Sequence, residues 1–158
     1  MNFFTRFGIV CTLAGFLVTP HGVSESPVAF CDLMKDPQKY DGKEVTVRAT
    51  WRYGFEWSDL YCIDCSPRNN LTWLKFSDDL DEGSEKALKH TPKGAAIVNL
   101  TIVGTFRSSG RFGHMGSYPY EFLATKVSRI KVVLKGMKGS EEEERAEKRW
   151  ACGGTNPK

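Results

Sequence analysis

A chain of 158 residues with 41% hydrophobic and 12% aromatic side chains has the composition of a folded protein, not of a disordered one. Its 22 basic and 19 acidic side chains leave a formal net charge of +3, far from the strongly basic stripe of a dedicated nucleic-acid binder. No internal repeat is visible, and the short acid run Glu141–Glu144 is the only low-complexity tract.

The segment Met1–Phe7 carries one charge, Arg6, and no acid. An almost unbroken apolar run, Gly8–Val18, follows, and then the small residues Gly22 and Ser24. A basic start, a short apolar stretch and a small-residue exit are the parts of a secretory signal peptide, so residues 1–24 are expected to be cleaved before Glu25. The run is shorter than the roughly 20 apolar residues of a bilayer span, and no membrane span is expected after cleavage. Cys11 sits inside the run without small residues before it, which argues against a lipoprotein site. A chain of roughly 130 residues remains, enough for one domain with its own core, in a periplasmic or secreted location.

That chain keeps four cysteines, Cys31, Cys62, Cys65 and Cys152. An even count in an oxidising compartment implies disulfides, and four cysteines allow three connectivities. Cys62–Cys65 with Cys31–Cys152 ties the two ends together. The crossed pairings staple both ends to one loop, and spacing does not choose among the three.

Residues 27–35 read as a short helix with Val28, Phe30, Cys31, Leu33 and Met34 on its apolar side. Asp36-Pro37 ends it, because the residue before proline is pushed out of the helical region. Asp41-Gly42 is a turn that leads into the clearest element. Val45, Val47, Ala49, Trp51 and Tyr53 alternate with Glu44, Thr46, Arg48, Thr50 and Arg52, the period of a strand with one buried face. Gly54–Asn70 reads as irregular, Leu71–Phe76 as a short strand and Ser84–His90 as a short helix.

A long strand follows, with Val98, Leu100, Ile102, Gly104 and Phe106 on one face; Gly104 in mid-strand suggests a bulge or bend. Ser108–Ser117 is a glycine-rich connection. Tyr118–Ala124 and Val127–Lys135 read as two further strands. Residues 140–158 form a charged C-terminal helix and tail. A Ser140/Glu143 capping box opens it, (i, i+4) pairs Glu141–Arg145 and Glu144–Lys148 support it, and Trp150 is its apolar anchor. About five strands with an inserted helix make residues 25–139 a mainly β domain with short helices, expected as a small five-stranded OB-like barrel carrying a C-terminal surface helix. A sandwich needs more strands.

The run from Cys31 to Val47, with its short helix, Pro37, Tyr40, Asp41-Gly42-Lys43 and alternating valines, resembles the opening of bacterial OB-fold periplasmic proteins. Val103-Gly104-Thr105-Phe106 and Gly113-His114-Met115-Gly116-Ser117-Tyr118 resemble segments of small exported bacterial proteins. The resemblance spans most of residues 30–134 and implies an exported barrel. It carries no catalytic residues, and neither the Cys62/Cys65 pair nor the charged C-terminal helix belongs to it.

Cys62-Ile63-Asp64-Cys65 has the spacing of a thiol–disulfide active site, but such a site needs a helix after the motif. Ser66-Pro67-Arg68-Asn69-Asn70 is turn sequence, so a structural disulfide is expected. A metal site built on Cys62, Cys65 and His114 lacks a fourth ligand, and no metal or cofactor is expected. His114 lies in a glycine-flanked loop with no nucleophile beside it. Glu56 and Asp59, near Trp57 and Tyr61, form an acid pair of a kind common on any surface. The rings of Trp51, Tyr53, Phe55, Trp57, Tyr61, Trp73, Tyr118 and Tyr120 suit stacking on bases or sugars. Trp51 and Tyr53, however, share the parity of the core valines. Asn70-Leu71-Thr72 and Asn99-Leu100-Thr101 are glycosylation sequons that matter only in a eukaryotic secretory pathway.

The expectation is a non-enzymatic exported domain, without catalytic residues, that binds an envelope protein or a small ligand through its loops Gly54–Asn70 and Ser108–Ser117. Glu56, Trp57, Asp59, Arg111, His114 and Tyr118 are the binding candidates. The alternatives are an envelope thiol-redox or metal-dependent protein using Cys62, Cys65 and His114, and an oligonucleotide binder by fold analogy; export and near-neutral charge argue against a nucleic-acid partner.

Overall fold

A computed structural model describes residues 26–65 and 71–136, together with Glu141 and Arg145. The expected signal peptide, Cys152 and almost all of the charged C-terminal segment lie outside the described residues. Glu141 and Arg145 are both helical, and Arg145 Nε donates to the Glu141 carbonyl oxygen at 3.2 Å.

The protein is mainly β, with a six-stranded mixed sheet and few helices. In chain order the elements are β1 (Val28–Ala29), α1 (Phe30–Lys35), a 3-10 turn (Pro37–Tyr40), β2 (Glu44–Tyr53), β3 (Ser58–Tyr61), β4 (Thr72–Phe76), α2 (Glu82–Lys89), β5 (Ala96–Arg107), a 3-10 turn (His114–Gly116) and β6 (Tyr120–Lys135). The strands are ordered β1-β2-β3-β4-β6-β5, and β5 pairs in addition with β2 along its length, from Glu44↔Thr105 to Tyr53↔Ala96. Among the five strands β2 to β6 each thus pairs with two others, and β2 pairs with β1 besides; β4 and β6 run parallel, and the other pairings among these five are antiparallel.

β2 forms as its alternation demands. Val45, Val47, Ala49 and Trp51 turn into the core, where they meet Leu60, Leu74, Leu100, Ile102, Phe106 and Phe122. α1 buries Phe30 and Leu33 in the same cluster. α2 is held from both sides of its first turn: Asp81 caps the Ser84 N–H, and the buried Ser84 hydroxyl accepts the N–H of Val127 at 2.7 Å.

Three sequence expectations are corrected. The stretch read as irregular contains β3, whose four residues pair with β2 through Thr50↔Tyr61 to Tyr53↔Ser58. The helix expected from residue 27 starts at Phe30, because Val28 and Ala29 pair in parallel with Val47 and Arg48. The two C-terminal strands are one, β6, unbroken over 16 residues. Its ladder with β5 shifts register three times, opposite Val103/Gly104, opposite Asn99/Thr101, where Arg129 takes a φ of 52°, and opposite Ile97/Val98. Each bulge inserts a residue and flips the inward parity. Phe122 and Ala124 face the core before the first, Val127 after it, so the period breaks although the strand does not.

Candidate ligand-binding groove

The end of β2 and the loop 54–57 meet β4 and the tip of the loop 108–119 around an open groove of about 750 Å³, within the usual range for small-ligand sites. Trp51, Tyr53 and Phe76 bring rings to it. Trp51 and Tyr53, two apart on β2 and so on one face, stack at 4.0 Å between centroids, and Phe76 meets Trp51 edge-on at 5.1 Å. The sides are Phe55, Glu56 and Trp57 from one loop, Trp73 and Lys75 from β4, and Gly113 and His114 from the other loop. Nε2 of His114 comes within 3.9 Å of Glu56 Oε2, so the two loops meet across their tips.

The loops are anchored by a buried polar cluster beside the groove. Arg52 and Asp59 are cross-strand partners. Arg52 donates to Asp59 Oδ2 from Nε at 2.9 Å and from its terminal nitrogen at 2.5 Å. The other carboxylate oxygen, Oδ1, accepts the Tyr118 hydroxyl at 2.5 Å. Arg52 also lies over the rings of Trp57 (5.2 Å) and Tyr61 (5.8 Å), where a planar cation is attracted to the π face. Burial pushes the Tyr118 phenol well above its ordinary value, and the hydrogen bond to Asp59 and the charge of Asp59 push it further. Tyr118 packs against Trp73 at 5.1 Å. Gly113, at φ +66°, passes so close that a Cβ there would stand within 2.6 Å of both rings.

Of the six binding candidates, Glu56, Trp57 and His114 line the groove. Asp59 lies in β3, 1% exposed, and is part of the anchoring cluster. Tyr118 is its partner. Arg111 is exposed beside the groove-lining tip, its Nε 3.4 Å from the Gly116 carbonyl oxygen, and does not line the groove. Sequence reading passed over Arg52, Lys75 and Phe76. Arg52 sits on the polar parity of β2, and the unrecognised pairing with β3 brings it to Asp59. Asn99 of the second sequon is in β5, and its side-chain oxygen accepts the Thr50 hydroxyl at 2.9 Å.

The cysteines lie elsewhere. Cys31 of α1 is bonded to Cys65, one of the crossed pairings, so the Cys62-x-x-Cys65 motif does not close on itself. Cys62 is buried and likewise disulfide-bonded. The sulfurs of Cys31, Cys62 and Cys65 lie within 4.8 Å of one another, a group that His114 does not join. Among the described residues no helix is long and apolar enough to cross a membrane.

No model of a known protein family matches this chain, and no curated protein matches it in sequence. Function must therefore be read from the chemistry of the groove.

Proposed function

We propose that this chain is an exported, non-enzymatic binding domain: an OB-like barrel that holds a ligand in the groove between its 54–57 loop and the tip of its 108–119 loop. One observation carries the reading. Two loops more than fifty residues apart converge on a single aromatic-lined groove, held there by Arg52, Asp59 and Tyr118. A buried polar anchor under surface loops is how a scaffold presents a binding surface. The barrel is supported by the cyclic pairing order of β2 to β6, the parallel β4–β6 pair and the helix between β4 and β5. Export is supported by the Cys31–Cys65 disulfide, which persists in an oxidising compartment.

The test is a backbone-resolved NMR titration of the exported chain with a panel of sugars, short oligonucleotides and peptides. At least one class is expected to shift Phe55, Trp57, Trp73, Lys75 and His114 together while leaving α2 unmoved. Shifts confined to other surfaces, or none with any class, overturn the reading.

A further inference from the structure

Resting on that reading of the groove, we infer that its ligand class is an uncharged, hydroxyl-bearing ring compound: a glycan. Three features of the lining point there.

The first is Phe55. Its ring lines the groove yet is 97% exposed, so it contributes almost nothing to the core. An aromatic ring held out at the lip beside Trp57 and Trp73 is a platform for a flat partner. A sugar ring offers such a face, made of C–H groups, and the amphipathic aromatic rings below can cover it.

The second is charge. Among the described residues that line the groove, Lys75 is the one permanent cation and Glu56 the one permanent anion, with His114 beside Glu56. These cancel. Of the guanidiniums beside it, Arg52 is already committed to Asp59 and to the faces of Trp57 and Tyr61, and Arg111 stands at the loop tip with its Nε 3.4 Å from the Gly116 carbonyl oxygen, outside the lining. A phosphate chain needs a series of lysines or arginines to replace its counterions, and the lining does not supply one.

The third is hydrogen bonding. Glu56 accepts, Lys75 donates and the His114 imidazole does either according to tautomer, which is the mixed set that hydroxyl groups satisfy from both sides. A purely apolar ligand would instead strip water from Glu56 and Lys75 without replacing it, at a cost that works against binding.

The experiment is calorimetric titration of the exported full chain with uncharged glucose and N-acetylglucosamine tetramers, at low and high salt, paired with NMR mapping. A thymidine tetranucleotide serves as the charged comparison. At least one saccharide is expected to bind in the groove with little salt dependence. Phe55→Ala is expected to weaken it about tenfold, the size of a lost aromatic contact, with the melting temperature unchanged because Phe55 is exposed. Trp73→Ala weakens binding too, but it also disturbs Tyr118, so Phe55 is the cleaner variant. No saccharide binding, saccharide binding outside the groove, or full affinity in Phe55→Ala overturns the glycan inference. If the tetranucleotide alone binds the groove, and binds less as salt rises, the groove remains a binding site for another ligand. If nothing perturbs the groove, both readings fall.

Discussion

The Tyr118 hydroxyl donates to Asp59 Oδ1 at 2.5 Å, across 59 positions of sequence, and this bond ties the 108–119 loop to the middle of β3. The other oxygen of Asp59 belongs to Arg52, so the carboxylate sits in the interior with both sides satisfied. Moving the 108–119 loop away from β3 would leave the buried Asp59 carboxylate without its Tyr118 partner.

Tyr118→Phe removes one hydroxyl and leaves Asp59 Oδ1 without its partner in a nearly inaccessible place. Such a loss costs about 1–3 kcal/mol, visible as a lower urea midpoint with unchanged slope. The same bond predicts the alkaline behaviour. Folding raises the phenol value of Tyr118, chiefly by burial, and burial raises that of Tyr53. A raised folded value contributes stability that is complete below the unfolded value, near pH 10, and is lost as pH rises through the folded one. Absorbance titration of the five tyrosines of the chain should find Tyr118 ionising late, with unfolding, and the Phe variant should lose less stability above pH ~10.

At the acid end the responsible groups are carboxylates. Asp81 is held below its ordinary value by the Ser84 N–H and hydroxyl, and Asp41 by the Ser108 N–H, which donates to it at 2.6 Å. A lowered folded value contributes stability that is present above about pH 4 and lost as pH falls through the folded value. Urea midpoints should therefore drop as pH falls below about 4, and Asp81→Asn should flatten that drop. Ser84→Ala, which leaves the Val127 N–H unpaired in the interior, should cost about 1–3 kcal/mol at neutral pH.

Gly104 is the one position of β5 where β6 leaves no room. A Cβ there would run into the Leu123 carbonyl oxygen and stand 2.7 Å from Ala124 Cα, both backbone atoms that cannot step aside. Gly104→Ala is expected to cost about 3 kcal/mol or to shift the β5–β6 register, read as loss of cross-strand contacts between Gly104 and Ala124.

Peptide mapping without reductant should return Cys31 joined to Cys65, and Cys62 in a separate disulfide. The Cys31–Cys65 link closes a loop of 34 positions, so Cys31→Ser should lower stability by about 3–4 kcal/mol on the chain-entropy estimate. A Cys62–Cys65 peptide would instead reopen the thiol-redox alternative.

The sequence by itself determined the elements whose signals are local. β2 was legible end to end because ten residues alternate without a break, with Val45, Val47, Ala49 and Trp51 on the core side. The helix stop at Asp36-Pro37, the helix before Pro92 and the glycine-rich connection 108–117 were legible for the same reason, since proline and glycine act on their own backbone. What the tertiary structure decided was every relation between distant residues. β3 is too short for a period, and its buried Asp59 looks like a surface acid until Arg52 and Tyr118 close on it. β6 read as two strands because its bulges reset the parity, and a bulge exists only against a partner strand. The choice of Cys31 for Cys65 depended on where α1 packs, and the groove on two loops meeting in space. Local propensity sets φ and ψ along the chain; it carries no information about which side chains, fifty residues apart, share one patch of solvent.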